Sequence, residues 1–186
     1  MIKPYMIAIS GMILMTQPSW ATCASPGPNV QISRPDSRYT DNLDGTVMDE
    51  ATGLTWTKCS IGQLWEGNAP EDGADDSCSG TALAYNWKGA LDIAQTANDV
   101  NYLGASDWRV PNVKDLGSLL ENACSSPPIN TSMFPSTANA NYWTSSPYGA
   151  TGLDLEAWYV GFQSRGEILH EMKSRLYNVR LVRGGD

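Results

Sequence analysis

An α+β domain, a twisted antiparallel sheet with two helices and long loops, is the fold class this sequence predicts. Three observations predict it. Apolar residues recur at helical spacing twice in the middle of the chain. Short period-two pieces bounded by Gly, Pro and Asp-Gly precede those helices, and longer period-two pieces follow them. The 186 residues suit one domain with an ample core.

The elements follow in order. Tyr39 to Val47 places Asp44-Gly45 between two β-prone pieces, the signal of a hairpin. Thr52-Gly53 marks another turn, and Leu54 to Lys58 alternates as a strand. From Gly62 to Gly80 the chain is acidic and turn-rich, with Leu64 and Trp65 its large apolar groups. Between Tyr85 and Asn98 the period becomes helical, with Trp87, Leu91, Ala94 and Ala97 on one small-residue face. Asp107 to Val110 reads as a short strand ended by Pro111. Asn112 then caps a second helix with Asp115 as its partner, and Val113, Leu116, Leu119 and Leu120 form its buried stripe. In the last third, Tyr142 to Ser146 stops at Pro147. Glu156 to Phe162 puts Trp158, Val160 and Phe162 on one face. Leu176 to Arg183 sets Tyr177, Val179 and Leu181 against Arg180 and Val182.

Residues 1–21 read as a secretory signal. Lys3 supplies the positive start, Met6 to Met15 the apolar run, and Ser19-Trp20-Ala21 small residues at −3 and −1 of a cut. That run is too short for a permanent transmembrane helix. Residues 22–37 then form an extended lead-in, and residues 38–186 the domain. Export makes the four cysteines two disulfides. Cys59 and Cys78 flank the acidic loop and are the favoured pair, worth about 3 kcal/mol in the chain-entropy model. Cys23 would then pair with Cys124. Zinc is the alternative use of four cysteines, but none has CxxC spacing.

With 12 Lys+Arg against 20 Asp+Glu the net charge is −8. Removing residues 1–21 takes only Lys3 among the charged side chains and leaves −9. Such a balance argues against nucleic acid as a partner. Seven Trp and eight Tyr against two Phe favour amphipathic rings, which suit wet binding surfaces.

An ordered set of motifs carries a resemblance. Asp44-Gly45-Thr46-Val47-x-Asp49, Thr52-Gly53-Leu54-x-Trp56, Asp107-Trp108-Arg109-Val110-Pro111-Asn112, Phe134-Pro135, Tyr142-Trp143-Thr144-Ser145-Ser146 and Val179-Arg180-Leu181-Val182-Arg183 occur in sequence. The chain from about Arg38 to Gly184 resembles the C-terminal domain of the Legionella collagen-like adhesin, a family of bacterial secreted and envelope proteins. The Trp-Arg-Val-Pro-Asn stretch and the Val-Arg-Leu-Val-Arg ending are also similar to the C-type-lectin-like scaffold, of which the formylglycine-generating enzymes use a variant. The resemblance implies a secreted, periplasmic or cell-surface binding module, and for the adhesin a sulfated polysaccharide ligand. The charge of −9 restrains that last implication, since it repels polyanions. No collagen-like run is present, so stalk-driven trimerisation does not carry over and the oligomeric state stays open.

Candidate chemistry is sparse. Asp41, Asp44 and Asp49 surround a tight Gly turn, so the stretch is a calcium candidate as well as a hairpin. Aligned as an EF-hand loop it lacks the Glu at position twelve, and we expect no cofactor. Arg109 could grip a carboxylate or sulfate, or pair internally with an acid or loop carbonyls. Trp65, Tyr148 and Tyr159 lie in or beside turn-rich segments as aromatic platforms for sugars, with Arg165 in the one basic concentration, alongside Lys173 and Arg175. Trp56, Trp87 and Trp143 are core candidates. For catalysis, His170 stands alone in a charged segment, Ser145 and Ser146 lack a G-x-S-x-G context, and no Cys follows Cys124 as formylglycine-generating chemistry would need. The expectation is an exported, non-enzymatic recognition or adhesion domain for a glycan or an envelope protein. A structural subunit of an envelope complex is the alternative, and a glycan hydrolase with dispersed carboxylates the third reading.

Overall fold

The computed structural model describes residues 30–67, 77–149 and 154–185. The expected leader, Cys23 and the middle of the acidic loop lie outside the described residues. Among the described residues eleven strands and two α-helices follow in chain order: Tyr39–Asp41 (β1), Thr46–Asp49 (β2), Leu54–Thr57 (β3), Leu64–Glu66 (β4), Ser77–Ser79 (β5), Ala84–Tyr85 (β6), Trp87–Asp99 (α1), Val113–Gly117 (α2), Asn141–Tyr148 (β7), Glu156–Gly161 (β8), Glu167–Met172 (β9), Tyr177–Asn178 (β10) and Val182–Gly184 (β11). They form an α+β domain whose strands fall into three sheets, in the orders β1-β2-β3-β11, β6-β10-β7-β8-β9 and β4-β5. All pairs are antiparallel except β10 with β7. Among the described residues no helix is long and apolar enough to cross a membrane.

Each helix has a local cause. Asn86 caps α1 by accepting from Gly89 N–H at 2.8 Å, and Ala90, Ala94 and Ala97 turn inward. Their small side chains let the helix lie close to the five-stranded sheet. On its outer face Lys88 pairs with Asp92 one turn on. Asn112 and Asp115 make the expected capping box of α2. That helix is only five residues long, yet the stripe it starts continues through buried Leu119.

Both faces of the five-stranded sheet are covered at its central strands. Leu116 and Leu119 join Tyr142, Val160 and Phe162 in one apolar cluster, which extends to Trp56 and Val182 of the four-stranded sheet. The alanines of α1 join Trp108, Trp143, Ala157, Tyr159, Val179 and Leu181 in a second. Trp56 and Trp143 are fully buried. Trp87 is half-buried and gives its indole N–H to Thr144 O at 2.8 Å.

Three expectations change. The strand expected at Asp107 to Val110 is a single bridge, Arg109 with Val182. The Asn98 side chain takes both the Trp108 N–H (2.7 Å) and its carbonyl (2.9 Å), so those groups are withheld from a ladder. Pro147 does not end its strand: β7 runs on to Tyr148, with a register shift between Trp143 and Pro147. At that irregularity Ser145 N–H bonds Pro111 O and Ser146 Oγ accepts from Val113 N–H, so a residue without an N–H is accommodated. The C-terminal segment is two strands, because the chain crosses from one sheet to the other between β10 and β11. Ahead of the domain, buried Glu121 accepts from Ser33 N–H (2.7 Å) and from Arg34 N–H, which docks the described end of the lead-in.

Arg180 sits at the crossover, fully buried. Its guanidinium donates to Thr57 O (2.7 Å), to Lys58 O and to Thr137 Oγ1 (2.9 Å), and lies 4.9 Å from the Phe134 ring centre. Removing it orphans those acceptors and leaves a void. Arg180→Ala is therefore expected to cost about 3 kcal/mol in urea unfolding. Arg180→Lys should recover only part of this, because an ammonium lacks the planar fork.

Candidate functional site

The residues singled out in the sequence do not converge. Tyr159 is buried in the second cluster, 4.9 Å from the Tyr177 ring, and is not a surface platform. Burial pushes its phenol up to about 12, with the Glu167 carboxylate adding to the shift. The reason is that both faces of the sheet are covered, so alternation along β8 does not separate inside from outside. Trp65 is half-buried. Its ring lies against Gly45, where an added Cβ would come within 3.1 Å of it. Gly45 also has φ +87, so the β1–β2 turn needs glycine for conformation and for this close approach.

Arg109 is partly exposed but pairs within the chain. It donates to Asp115 Oδ2 at 2.7 Å and to Gly184 O at 3.1 Å, which ties the C-terminus to the start of α2. Arg165 is exposed in the turn between β8 and β9. Lys173 bonds Asp154 Oδ1 (2.6 Å) and covers the Trp87 ring at 4.4 Å, and Arg175 lies 3.9 Å from Glu171. The basic concentration is thereby dispersed into pairs.

The three carboxylates of the calcium candidate face different partners. Asp41 pairs with buried Lys58 and accepts from Leu43 N–H, Asp44 caps Thr46 N–H at 2.9 Å, and Asp49 takes Arg38 Nε at 2.7 Å. Each works as a turn or ladder clamp. Cys59 and Cys78 form the expected disulfide. Cys124 is disulfide-bonded, and Cys23, its expected partner, lies outside the described residues.

The side chains that do gather are on the outer part of the five-stranded sheet. Register places Tyr148 opposite Glu156, and Trp158 opposite His170. These four share one face of three adjacent strands. The Tyr148 and His170 rings stack 3.6 Å apart with planes within 3°. Trp158 stands edge-on to both, at 5.2 and 5.6 Å. His170 Nδ1 meets Glu156 Oε2 at 2.6 Å, which fixes the ring that Tyr148 stacks on. The imidazole remains 37% exposed and the Glu156 side chain 34%. This is a rigid, open platform of three rings beside an acceptor carboxylate, on strands rather than loops.

Sequence reasoning found Tyr148 but missed the other members. In the sequence Trp158 reads as part of the apolar stripe of its strand, and His170 as a lone residue in a charged segment. The available signal was the hairpin register: counting outward from the Gln163 to Gly166 turn sets Trp158 across from His170. Away from this platform, an apolar groove of about 270 Å³ runs between α1 and the Ile61–Leu64 turn, with Ile93, Val100 and Tyr102 among its walls. None of the candidate binding residues read from the sequence lines it.

The family model described as the Lcl C-terminal domain aligns with residues 45–183, well over half of the chain. No curated protein matches it.

Asp49 carries an acid-side prediction. Burial disfavours its charge, but the bonds from Arg38 and Thr52 outweigh that and hold the carboxyl below its ordinary 3.8. A carboxyl depressed in the folded state contributes stability above its unfolded pKa and loses it as pH falls through the folded one. Denaturant unfolding should therefore show stability dropping as pH falls below 3.8. Arg38→Ala should shrink that part of the slope, since the Thr52 and Ala51 bonds then act without a cation beside the carboxylate.

Proposed function

The chain belongs to the Lcl C-terminal domain family, and from that membership we propose that it is an exported recognition domain. It binds a glycan on the Tyr148–Trp158–His170 platform and carries out no catalysis of its own. The observation that carries this reading is the clamped stack of Tyr148 on His170, 3.6 Å apart, with Glu156 and half-buried Trp158 beside it. Sugar rings offer C–H-rich faces to aromatic planes and hydroxyls to carboxylates. Rings already fixed by neighbours lose little freedom when a ligand settles on them. The Cys59–Cys78 disulfide and the family suit an oxidising compartment outside the cytoplasm, at the envelope or beyond it.

Charge selects among glycans. The acidic chain, the carboxylate at the platform and the dispersal of Lys173 and Arg175 into ion pairs favour neutral sugars over sulfated ones. An envelope protein is the second reading, favoured by the exposed apolar side chains Leu155, Leu169, Met172 and Leu176 around the same hairpin.

A glycan array with neutral, acidic and sulfated members, run with and without calcium, tests the proposal. Binding to neutral glycans is expected. Tyr148→Ala and His170→Ala should each weaken it about tenfold, in line with about 1.4 kcal/mol for a lost ring contact. Arg165→Ala, at the far end of the hairpin, should leave it unchanged. Silence across the array would sink the glycan reading, and a stoichiometric envelope protein in pull-downs would then support the second.

A further inference from the structure

The aromatic platform has an acid beside it and no base. Among the described residues the Glu156 side chain bonds only His170, with Oε2 on Nδ1 at 2.6 Å. The bases around the same hairpin are turned elsewhere. Lys173 bonds Asp154 and lies over the Trp87 ring, Arg175 lies 3.9 Å from Glu171, and Arg165 sits in the turn that joins β8 to β9. Other rings of the fold receive a cation from the chain itself: Arg38 lies on Tyr39, Arg180 on Phe134 and Arg183 on Trp108. No Lys or Arg among the described residues covers Tyr148, Trp158 or His170.

The His170–Glu156 contact also fixes what the platform offers a ligand. A carboxylate only accepts, so Glu156 takes the proton on Nδ1, and the neutral imidazole keeps its lone pair on Nε2. No other described residue bonds that nitrogen or the second Glu156 oxygen. The His170 side chain is 37% exposed and that of Glu156 34%, so both groups meet solvent. The pair therefore presents two acceptors, one of them charged, next to ring faces whose potential is negative. A sugar hydroxyl meets this arrangement with a single donor. An ammonium meets it with three donors, no lone pair and a full charge.

We propose that the glycan bound on the platform is cationic, a sugar carrying a free amine. Its ammonium sits beside Glu156 and His170 Nε2, and its C–H face lies on the aromatic rings. This rests on the glycan reading and adds the charge of the ligand to it. With 20 Asp+Glu against 12 Lys+Arg, the chain as a whole draws in the same sign of ligand. Acetylating the amine would remove the charge and leave one donor, so the platform distinguishes the free amine from its amide.

Two disaccharides separate charge from shape: one of glucosamine, and cellobiose, in which hydroxyls stand in place of the amines. Binding of each to the full chain at neutral pH is followed by NMR through the Trp158 indole N–H. The amine-bearing sugar should bind about tenfold more tightly, as a charge-assisted bond in place of a neutral one gives. Glu156→Gln keeps an acceptor for Nδ1 and loses the charge, so it should erase that preference while cellobiose still binds. Asp92→Asn removes an equal charge from α1, which packs on the other face of the sheet, and should leave the preference intact. Equal binding of the two sugars overturns the proposal and leaves the glycan reading standing, whereas no binding of either overturns both. A preference that survives Glu156→Gln, or falls as far with Asp92→Asn, marks a general pull of the acidic surface and overturns the proposal as well.

Discussion

The buried guanidinium of Arg180 is the constraint on which the rest of the molecule depends. The chain leaves the five-stranded sheet after Asn178 and enters the four-stranded one at Val182. Crossing from sheet to sheet strands the carbonyls at the end of β3, which face neither ladder. Arg180 reaches Thr57 O, Lys58 O and Thr137 Oγ1 together, so one side chain gathers the end of β3, the loop before β7 and the C-terminal crossover. All three oxygens are neutral. Burial accordingly pulls the guanidinium below its usual value, and the Tyr142 hydroxyl works against that pull. A positive charge kept in the core by dipoles alone is costly to desolvate, and its worth lies in fixing one relative placement of two sheets.

Arg180 belongs to the motif set that carries the family resemblance, and other members of that set likewise hold the scaffold together. Gly45 makes the β1–β2 turn, Trp56 and Trp143 are buried whole, Trp108 hangs its indole N–H on Tyr102 O, and Asn112 caps α2. Membership in the family is therefore a statement about scaffold. The platform of Tyr148, Trp158 and His170 uses Tyr148, just past one motif, and two residues in none. Ligand choice in such a family is free to vary while the motifs stay put.

Legibility in the sequence follows the same division. The α1 helix, the α2 capping box, the β1–β2 hairpin and the Cys59–Cys78 bridge were readable because each is set by residues near one another in the chain. Tyr159 was misplaced because a sheet covered on both faces hides its period-two signal. The strand expected before Pro111 failed because a distant asparagine side chain supplies the pairing. The platform was only one-third visible, for its geometry lies across three strands and none of its contacts is local.

The disulfide has a consequence for how the chain meets a protease. Cys59 and Cys78 are 19 residues apart and enclose the acidic loop. A protease that cuts the backbone anywhere between them opens a ring and does not release a fragment. The two pieces stay joined through sulfur, while β3 remains laddered to β2 and β11, and α1 remains packed on the larger sheet. Nicking at this loop thus changes the number of chain ends and leaves the molecule in one piece.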